Sequence, residues 1–422
     1  MNDKGLLDIL WSSNSLNVPS GYGTQTKQFL PRLRSKGYGV ALAANYGVQG
    51  SPFMTQDNIL VLPSVSDAAL NDIIVGHYQY TKSDLLITLY DPHTYNRDVM
   101  NQISWCAWCP VDSTPLAPAN AHSLKSAKWI WAMSRHGEAQ LRAAGFDNVA
   151  YVPHGIDSTI FKPTDRPRAR ATMNRNSGGN FIDKFVVVAN SANKGTPSRK
   201  GFYEMLAAFK AFSDARDDAV LYLHTEAMGV FQGEHMPATL EMLHIAPEKV
   251  IFPPQYQFVC GMLDENYMVD VYNAADVFLS TSHGEGFGIP IVEAQLSGCP
   301  VIVTKSSAMT ELCMTGKTIP STTYMPVAGC TWQRPSVPET VALLEYAYAN
   351  WRDNESVRAE AREKALVYDA ATVFDTYMLP AVEKMQAELY HAIEPQRILR
   401  KRKPVNVRSN GHIAELIPQA VA

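Results

Sequence analysis

Residues Ser280-Thr-Ser-His-Gly-Glu-Gly-Phe-Gly-Ile-Pro-Ile-Val-Glu-Ala294 decide how this chain reads: an apolar strand ends, a glycine-rich turn follows, and a helix begins. Pro290 falls where a helix can start without losing a hydrogen bond, because a first-turn amide has no intrahelical partner. The turn leaves the backbone N–H groups of Gly286, Phe287 and Gly288 beside the positive end of a helix dipole, a natural seat for phosphate oxygens or sugar hydroxyls. Glycine lets a ligand approach that backbone closely. Glu285 precedes the turn and Glu293 falls in the first helical turn, so both can face one crevice at the carboxyl end of a parallel strand, where open α/β sheets place their ligands. Such a carboxylate pair suits bidentate hydrogen bonding to sugar and ribose hydroxyls. The plainer alternative is that Glu293 caps the helix and Glu285 is a surface charge.

Outward from this turn, short β-branched or apolar runs alternate with helix-period segments, the pattern of stacked βα units around a parallel sheet. Leu6–Trp11, Tyr38–Ala44, Leu85–Leu89, Ser104–Cys109, Trp129–Ala132 and Val149–Val152 read as strands of a first domain, with a helix from Thr24 to Lys36. From Asp157 to Asp183 the pattern breaks into Pro, Gly, Arg and Asn, the composition of a linker or exposed loop. Alternation resumes at Phe185–Ala189, with a helix at Phe202–Ala215 and strands at Val220–His224, Val250–Phe252, Val277–Ser280 and Val301–Thr304. The last hundred residues read as mostly helical: Pro338–Trp351, Ser356–Val367 and Ala371–His391. The expected organisation is a domain over 1–165, a second over 166–370, a C-terminal helix over 371–395 crossing back to the first domain, and a basic tail over 396–422. A chain of 422 residues is too long for one ordinary core, which agrees with two domains.

Composition narrows the function classes. The net charge of −4 argues against wholesale nucleic-acid binding. No run approaches the roughly 18 apolar residues of a membrane span, and Met1-Asn-Asp-Lys-Gly5 leads straight into a strand without a cleavage signal, so a cytoplasmic protein is the reading. Cys106 and Cys109 lie inside an apolar run with no second pair to complete a zinc ribbon, and read as reduced core thiols. Two basic features stand out. The helix Thr24–Lys36 carries Lys27, Arg32, Arg34 and Lys36, and the tail Arg397 to Arg408 holds six basic residues among twelve and no acidic one; each is either a solvated surface or a contact with an anionic acceptor.

Four further segments accompany the glycine turn: Ser20-Gly21-Tyr22-Gly23, Val152-Pro-His154-Gly155-Ile156-Asp157 with Phe161 and Pro163, Tyr272-Asn-Ala-Ala-Asp276-Val-Phe-Leu-Ser280, and Ser297-Gly-Cys-Pro-Val-Ile-Val303. In this order the five resemble glycosyltransferase family 4, the retaining enzymes of GT-B fold. The resemblance implies an α/β architecture of two Rossmann-like βαβ domains facing an interdomain crevice. It implies that Glu293 binds the ribose of a UDP- or GDP-linked sugar, and that Glu285 with the Gly286, Phe287 and Gly288 amides holds the sugar. Gly21 and Gly23 would line the donor side. Lys200 would meet the diphosphate; the Arg that the pattern places upstream is absent, its position being Gly195, so Arg199 or Lys194 takes its part. On the acceptor side the resemblance points to His93 first and Asp91 second, after the strand Leu85–Leu89, with Asp112 and His154 as further candidates.

Neither a metal nor a resident cofactor is implied, since GT-B enzymes as a class work without a catalytic metal. The implied reaction is front-face substitution at the anomeric carbon, the donor phosphate taking the acceptor proton. The segments Asn193–Gly201 and Leu221–Thr225 look closest to phage and actinobacterial members, which leaves modified DNA, virion protein, lipid and small molecules open as acceptors. Two other readings stay open: a nucleotide-sugar epimerase of the same fold, and a non-catalytic nucleotide- or nucleic-acid-binding module.

Overall fold

The computed structural model describes residues 5–327 and 329–401. Two sheets organise it, parallel throughout except for the antiparallel edge strand Phe53–Met54 of the first. The first holds eight strands, β1 Asp8–Ser13, β2 Gly39–Ala44, β3 Phe53–Met54, β4 Leu60–Leu62, β5 Leu85–Leu89, β6 Trp105–Cys109, β7 Trp129–Ala132 and β8 Val149–Tyr151, in the order β3-β4-β2-β1-β5-β6-β7-β8. The second holds β9 Phe185–Asn190, β10 Ala219–His224, β11 Val250–Ile251, β12 Val277–Ser280, β13 Val301–Thr304 and β14 Gly316–Ile319, in the order β11-β10-β9-β12-β13-β14. In both, strand order reverses beside the first strand, which opens a crevice at the carboxyl ends of the strands. Among the described residues no helix is long and apolar enough to cross a membrane.

The central strands are buried along their whole length, which is why they read as unbroken apolar runs. In the first sheet, Trp11, Trp108 and Trp131 stack edge to face, with Trp108 at 5.8 Å from Trp11 and 6.1 Å from Trp131. Phe29, from the helix Gly21–Ser35, packs on Trp108 at 5.7 Å. The buried indoles of Trp11, Trp105 and Trp108 donate to Thr26 Oγ1, Thr88 Oγ1 and the Val152 carbonyl at 3.2, 2.9 and 2.7 Å. Cys106 and Cys109 are free and buried here, and burial pushes the Cys109 thiol up to about 12.

One expectation is corrected. The stretch Asp157–Asp183 is no exposed loop: Arg166–Ser177 is a helix, capped by the Asp165 side chain and ended by Gly178 at φ 71°. Its sequence is too polar to look helical. Its stability comes from tertiary pairing instead, because Arg166 and Arg170 both grip Asp276, whose side chain is fully buried. Asp276 also accepts the Val186 amide at 2.7 Å, so one carboxylate ties this helix to the first strand of the second sheet. The last hundred residues, where described, are mostly helical as expected, with helices at Val337–Asn350, Glu355–Ala365 and Leu379–Lys401. After β14 a two-stranded hairpin follows, β15 Ser321–Val327 and β16 Cys330–Pro335, whose Thr and Tyr residues favour extended backbone.

The C-terminal helix is interrupted. Ala370–Val373 runs into a π-helical turn at Phe374–Met378 before the helix Leu379–Lys401. The segment leading into it touches the first domain: Ile156 bridges to Asp369, Phe374 stacks on Phe29 at 6.4 Å, and Asp375 pairs with Lys36 at 3.5 Å. Residues up to Ala381 form one compact unit and Val382 begins a second. The basic run from Arg397 to Arg408 lies at and beyond the end of the described residues.

Removing a buried charge's partner strands the other charge, which costs about 3 kcal/mol or more. Asp276→Ala should therefore lose about that much in a denaturant melt, with Arg170 left without a carboxylate and Arg166 left only with the exposed Asp353. A loss below about 1 kcal/mol, the range of surface pairs, would show that the helix Arg166–Ser177 is held by something else.

Candidate functional site

The loop after β9 and the turn after β12 are stitched together, and the stitching places the charges. Thr281 Oγ1 donates to the Lys200 and Gly201 carbonyls at 3.1 and 2.9 Å, and the His283 amide donates to the Arg199 carbonyl at 2.8 Å. Gly201 sits at φ 64°, and a Cβ there would lie 2.3 Å from the Thr281 carbonyl oxygen, so no side chain fits this junction. Behind the loop, Asn193 is buried and clasps Glu226 and Glu234 backbone groups.

Arg199 and Lys200 thereby converge on Glu285. The Lys200 ammonium bonds Oε1, the Arg199 guanidinium lies 3.3 Å from Oε2 and also bonds the Gly284 carbonyl, and the Ser282 hydroxyl donates to Oε1 at 2.6 Å. Burial alone would raise the Glu285 carboxyl; the Lys200 and Arg199 cations outweigh it and bring it down to about 2. Burial likewise lowers the Lys200 ammonium, helped by neighbouring Arg199 and opposed by Glu285. Lys194, by contrast, stays exposed at the outer edge of the loop. Of the two cations offered for the missing arginine, Arg199 is the one brought to the turn.

The opposite wall comes from the first domain. An added Cβ on Gly284 would stand 2.2 Å from the Asp112 carbonyl oxygen, and one on Gly286 would stand 2.4 Å from Pro110 Cβ. The glycines thus serve close domain apposition as well as an open backbone. Gly21 faces Ile289 at the start of the helix Ile289–Leu296, and Gly23 is required because a Cβ would meet the Val18 carbonyl at 2.3 Å. Asp112 lies 3.9 Å from Arg199 and 3.5 Å from the Trp332 indole nitrogen. Burial raises the Asp91 carboxyl, with His93, Arg199 and the Tyr22 hydroxyl opposing and Asp112 adding to the rise. Asp91, Asp112, Tyr22 and Arg199 therefore form one electrostatic cluster.

The remaining candidate residues differ in burial and partners. His93 is exposed, with Nδ1 at 3.2 Å from Asn120 Oδ1. His154 is buried between Trp108 and Phe287, at 4.9 and 5.0 Å, and its ring nitrogens have no partner among the described residues; burial alone lowers its pKa to about 3. Glu293 lies in the second turn of its helix rather than the first, and is 9% exposed. Burial lifts its carboxyl to about 7, while the Tyr272 hydroxyl, donating at 2.8 Å, holds it from going higher. On the basic helix Gly21–Ser35, Lys27 is ion-paired to Glu265, and the C-cap residue Lys36 to Asp375.

Four contributors had no signal of their own in the sequence. Tyr22 and Tyr272 lay inside motifs valued for their glycines and aspartate. The hairpin adds Trp332, and also Tyr324, whose hydroxyl lies 2.6 Å from His283 Nδ1. It further bridges the domains, since Thr331 pairs with Thr114 through backbone bonds of 3.1 and 2.8 Å. A polar cavity of about 380 Å³ lies between Asp112, His136, Lys305 and the hairpin. Among the described residues no cluster of His, Cys, Asp and Glu is arranged to hold a metal ion.

Residues 185–326 match the family described as glycosyl transferases group 1. A D-inositol 3-phosphate glycosyltransferase from Segniliparus rotundus is 30% identical over 167 residues, 39% of this chain and 34% of the relative. A mannosylfructose-phosphate synthase from Agrobacterium fabrum is 27% identical over 157 residues, 37% of this chain and 32% of the relative. The matched stretch thus spans about a third of the curated relatives' length. Solved structures extend the likeness to nearly the whole chain. The sucrose-phosphate synthase of Thermosynechococcus elongatus superposes at TM-score 0.69 with 15% identity, covering 92% of this chain and all of that one. An Anabaena protein solved with UDP-glucose superposes at 0.65 with 16% identity, covering 90% of this chain and all of that one. The fold is GT-B.

Because the folded-state pKa of Glu285 is depressed from 4.5 to about 2, its ionisation stabilises the fold fully above the ordinary carboxylate range and ceases to do so as pH falls toward 2. Lys200→Met should raise that pKa and flatten the fall in stability over this acid window, read by denaturant melts at stepped pH. An unchanged slope would mean that Lys200 does not govern the Glu285 carboxylate.

Proposed function

We propose that this chain is a retaining glycosyltransferase that moves a hexosyl unit from a UDP- or GDP-linked sugar to an acceptor hydroxyl. The observation that carries the reading is Glu285 clamped by Arg199 and Lys200 beside the glycine turn. An arriving diphosphate competes for both cations. As it draws Arg199 and Lys200 away, it frees Glu285 to accept hydrogen bonds from the sugar hydroxyls, while the Gly286, Phe287 and Gly288 amides meet the sugar's other face. As the glycosidic bond breaks, negative charge grows on the leaving diphosphate, and the same fixed cations stabilise it without a metal. Glu293 accepts hydrogen bonds from the ribose diol. The acceptor hydroxyl approaches from the side of Tyr22, Asp91 and Asp112, on the same face as the departing phosphate, which takes its proton. Asp112, 3.9 Å from Arg199, joins His93 and Asp91 as an acceptor-side candidate.

The names of the relatives make phosphorylated polyols and sugars the acceptors to try first, with modified DNA bases and virion protein after them. An epimerase would convert its donor with no acceptor present. Strict acceptor dependence of sugar transfer, above slow hydrolysis, is therefore the expected behaviour.

Donor binding should raise the melting temperature by an amount that grows with the logarithm of one plus concentration over Kd. Glu293→Gln should weaken binding of the cognate nucleotide sugar about tenfold or more, as expected for a lost charge-assisted hydrogen bond. In the unaltered protein, affinity should fall as pH drops through about 7, because protonating Glu293 removes an acceptor that the ribose needs. If Glu293→Gln binds UDP- and GDP-sugars like the parent, the assignment of the nucleotide site is wrong.

A further inference from the structure

We propose that Tyr272 is a positioning residue for the nucleoside: its buried hydroxyl, oriented by Asn190, fixes one oxygen of Glu293 so that the other is presented to the ribose diol. This rests on the nucleotide-sugar reading above. The direction of the chain of bonds follows from chemistry. The Asn190 amide nitrogen can only donate, and it lies 2.9 Å from the Tyr272 oxygen. That oxygen's single proton is then free for Glu293 Oε2, at 2.8 Å, because a carboxylate only accepts. The phenol thus cannot swing its proton elsewhere without breaking the bond from Asn190.

The three residues come from three elements. Asn190 ends β9, Tyr272 lies on the helix Glu265–Ala274, and Glu293 on the helix Ile289–Leu296. The Tyr272 ring has no solvent exposure and is wedged against Phe161 and Phe278 at 6.2 and 6.0 Å, so its hydroxyl is held in place by packing. Glu293 needs such a partner. A carboxylate this buried, with no fixed donor, takes up a proton and ceases to be the acceptor a diol requires. Asn190 also begins the loop that carries Arg199 and Lys200. The same strand end therefore sets both the cations for the phosphates and the orientation of the carboxylate for the sugar next to them.

Tyr272→Phe keeps the ring and removes only the hydroxyl. With UDP-glucose and GDP-mannose as probes, the expected result is an affinity about tenfold weaker for whichever of them the parent protein binds, an upward shift in the pH midpoint of that affinity, and kcat at saturating donor close to the parent value. Asn190→Ser leaves the ring packing untouched and should shift the midpoint in the same direction by less, which covers the case of a poorly folded Tyr272→Phe protein. A lower melting temperature with affinity and pH midpoint both unmoved overturns the proposal, since that is the behaviour of a packing residue alone. If Glu293→Gln also leaves affinity unchanged, the nucleotide-site reading has failed and takes this inference with it. If only Tyr272→Phe is silent, the site stands and the positioning role alone is lost.

Discussion

A buried carboxylate has to be met by fixed cations, and the Glu285 cluster shows how much of this architecture serves that need. Taking Glu285 and Lys200 out of water costs several kcal/mol per ion, so the pair persists only with close geometry and further hydrogen bonds. Lys200, Arg199 and Ser282 supply these bonds. Their convergence requires the loop after β9 to lie directly on the turn after β12, which in turn demands a residue without a side chain at Gly201. Charge, turn and glycine are one constraint seen at three levels.

A second consequence falls on the domain boundary. With Gly284 and Gly286 bare, the loop after β6 comes within contact of the turn, and Asp112 is carried to the edge of the Arg199 guanidinium. The hairpin β15–β16 closes the same boundary from the side through Thr331 and Thr114, and its Tyr324 and Trp332 reach His283 and Asp112. His154 lies under this junction, its ring nitrogens without a partner among the described residues. It stays neutral there because charging it would need water that the Trp108 and Phe287 rings exclude. The two carboxylates of the sequence motif thus end in opposite electrostatic states: Glu285 is held ionised by cations, and Glu293 is lifted by burial and steadied by one phenol.

Local signals made the frame readable. Strands such as β5, β7, β12 and β13 match their expected limits to the residue because a parallel strand buried on both faces must be apolar throughout. The helix Arg166–Ser177 was not readable, since its polar residues carry no periodic apolar stripe and its anchor, Asp276, lies 110 residues from Arg166. The hairpin hid for a similar reason: its partners are its own second strand and a loop of the other domain. His93, which follows a strand in the sequence, sits in the 3₁₀ turn Pro92–Thr94 beside Asn120, and its charge acts on Asp91.

The amino-acid sequence by itself determined the βα alternation, the glycine turn with its two glutamates, and the pair Arg199-Lys200, because each is written in neighbouring residues whose spacing fixes their local geometry. Only the tertiary structure decided which groups meet. Lys200 reaches Glu285 across 85 positions, Asn190 reaches Tyr272 across 82, and Tyr272 reaches Glu293 across 21. Those encounters depend on how the strands stack side by side. The ionisation of each carboxylate depends in turn on burial and on what lies opposite, which no local stretch of sequence contains.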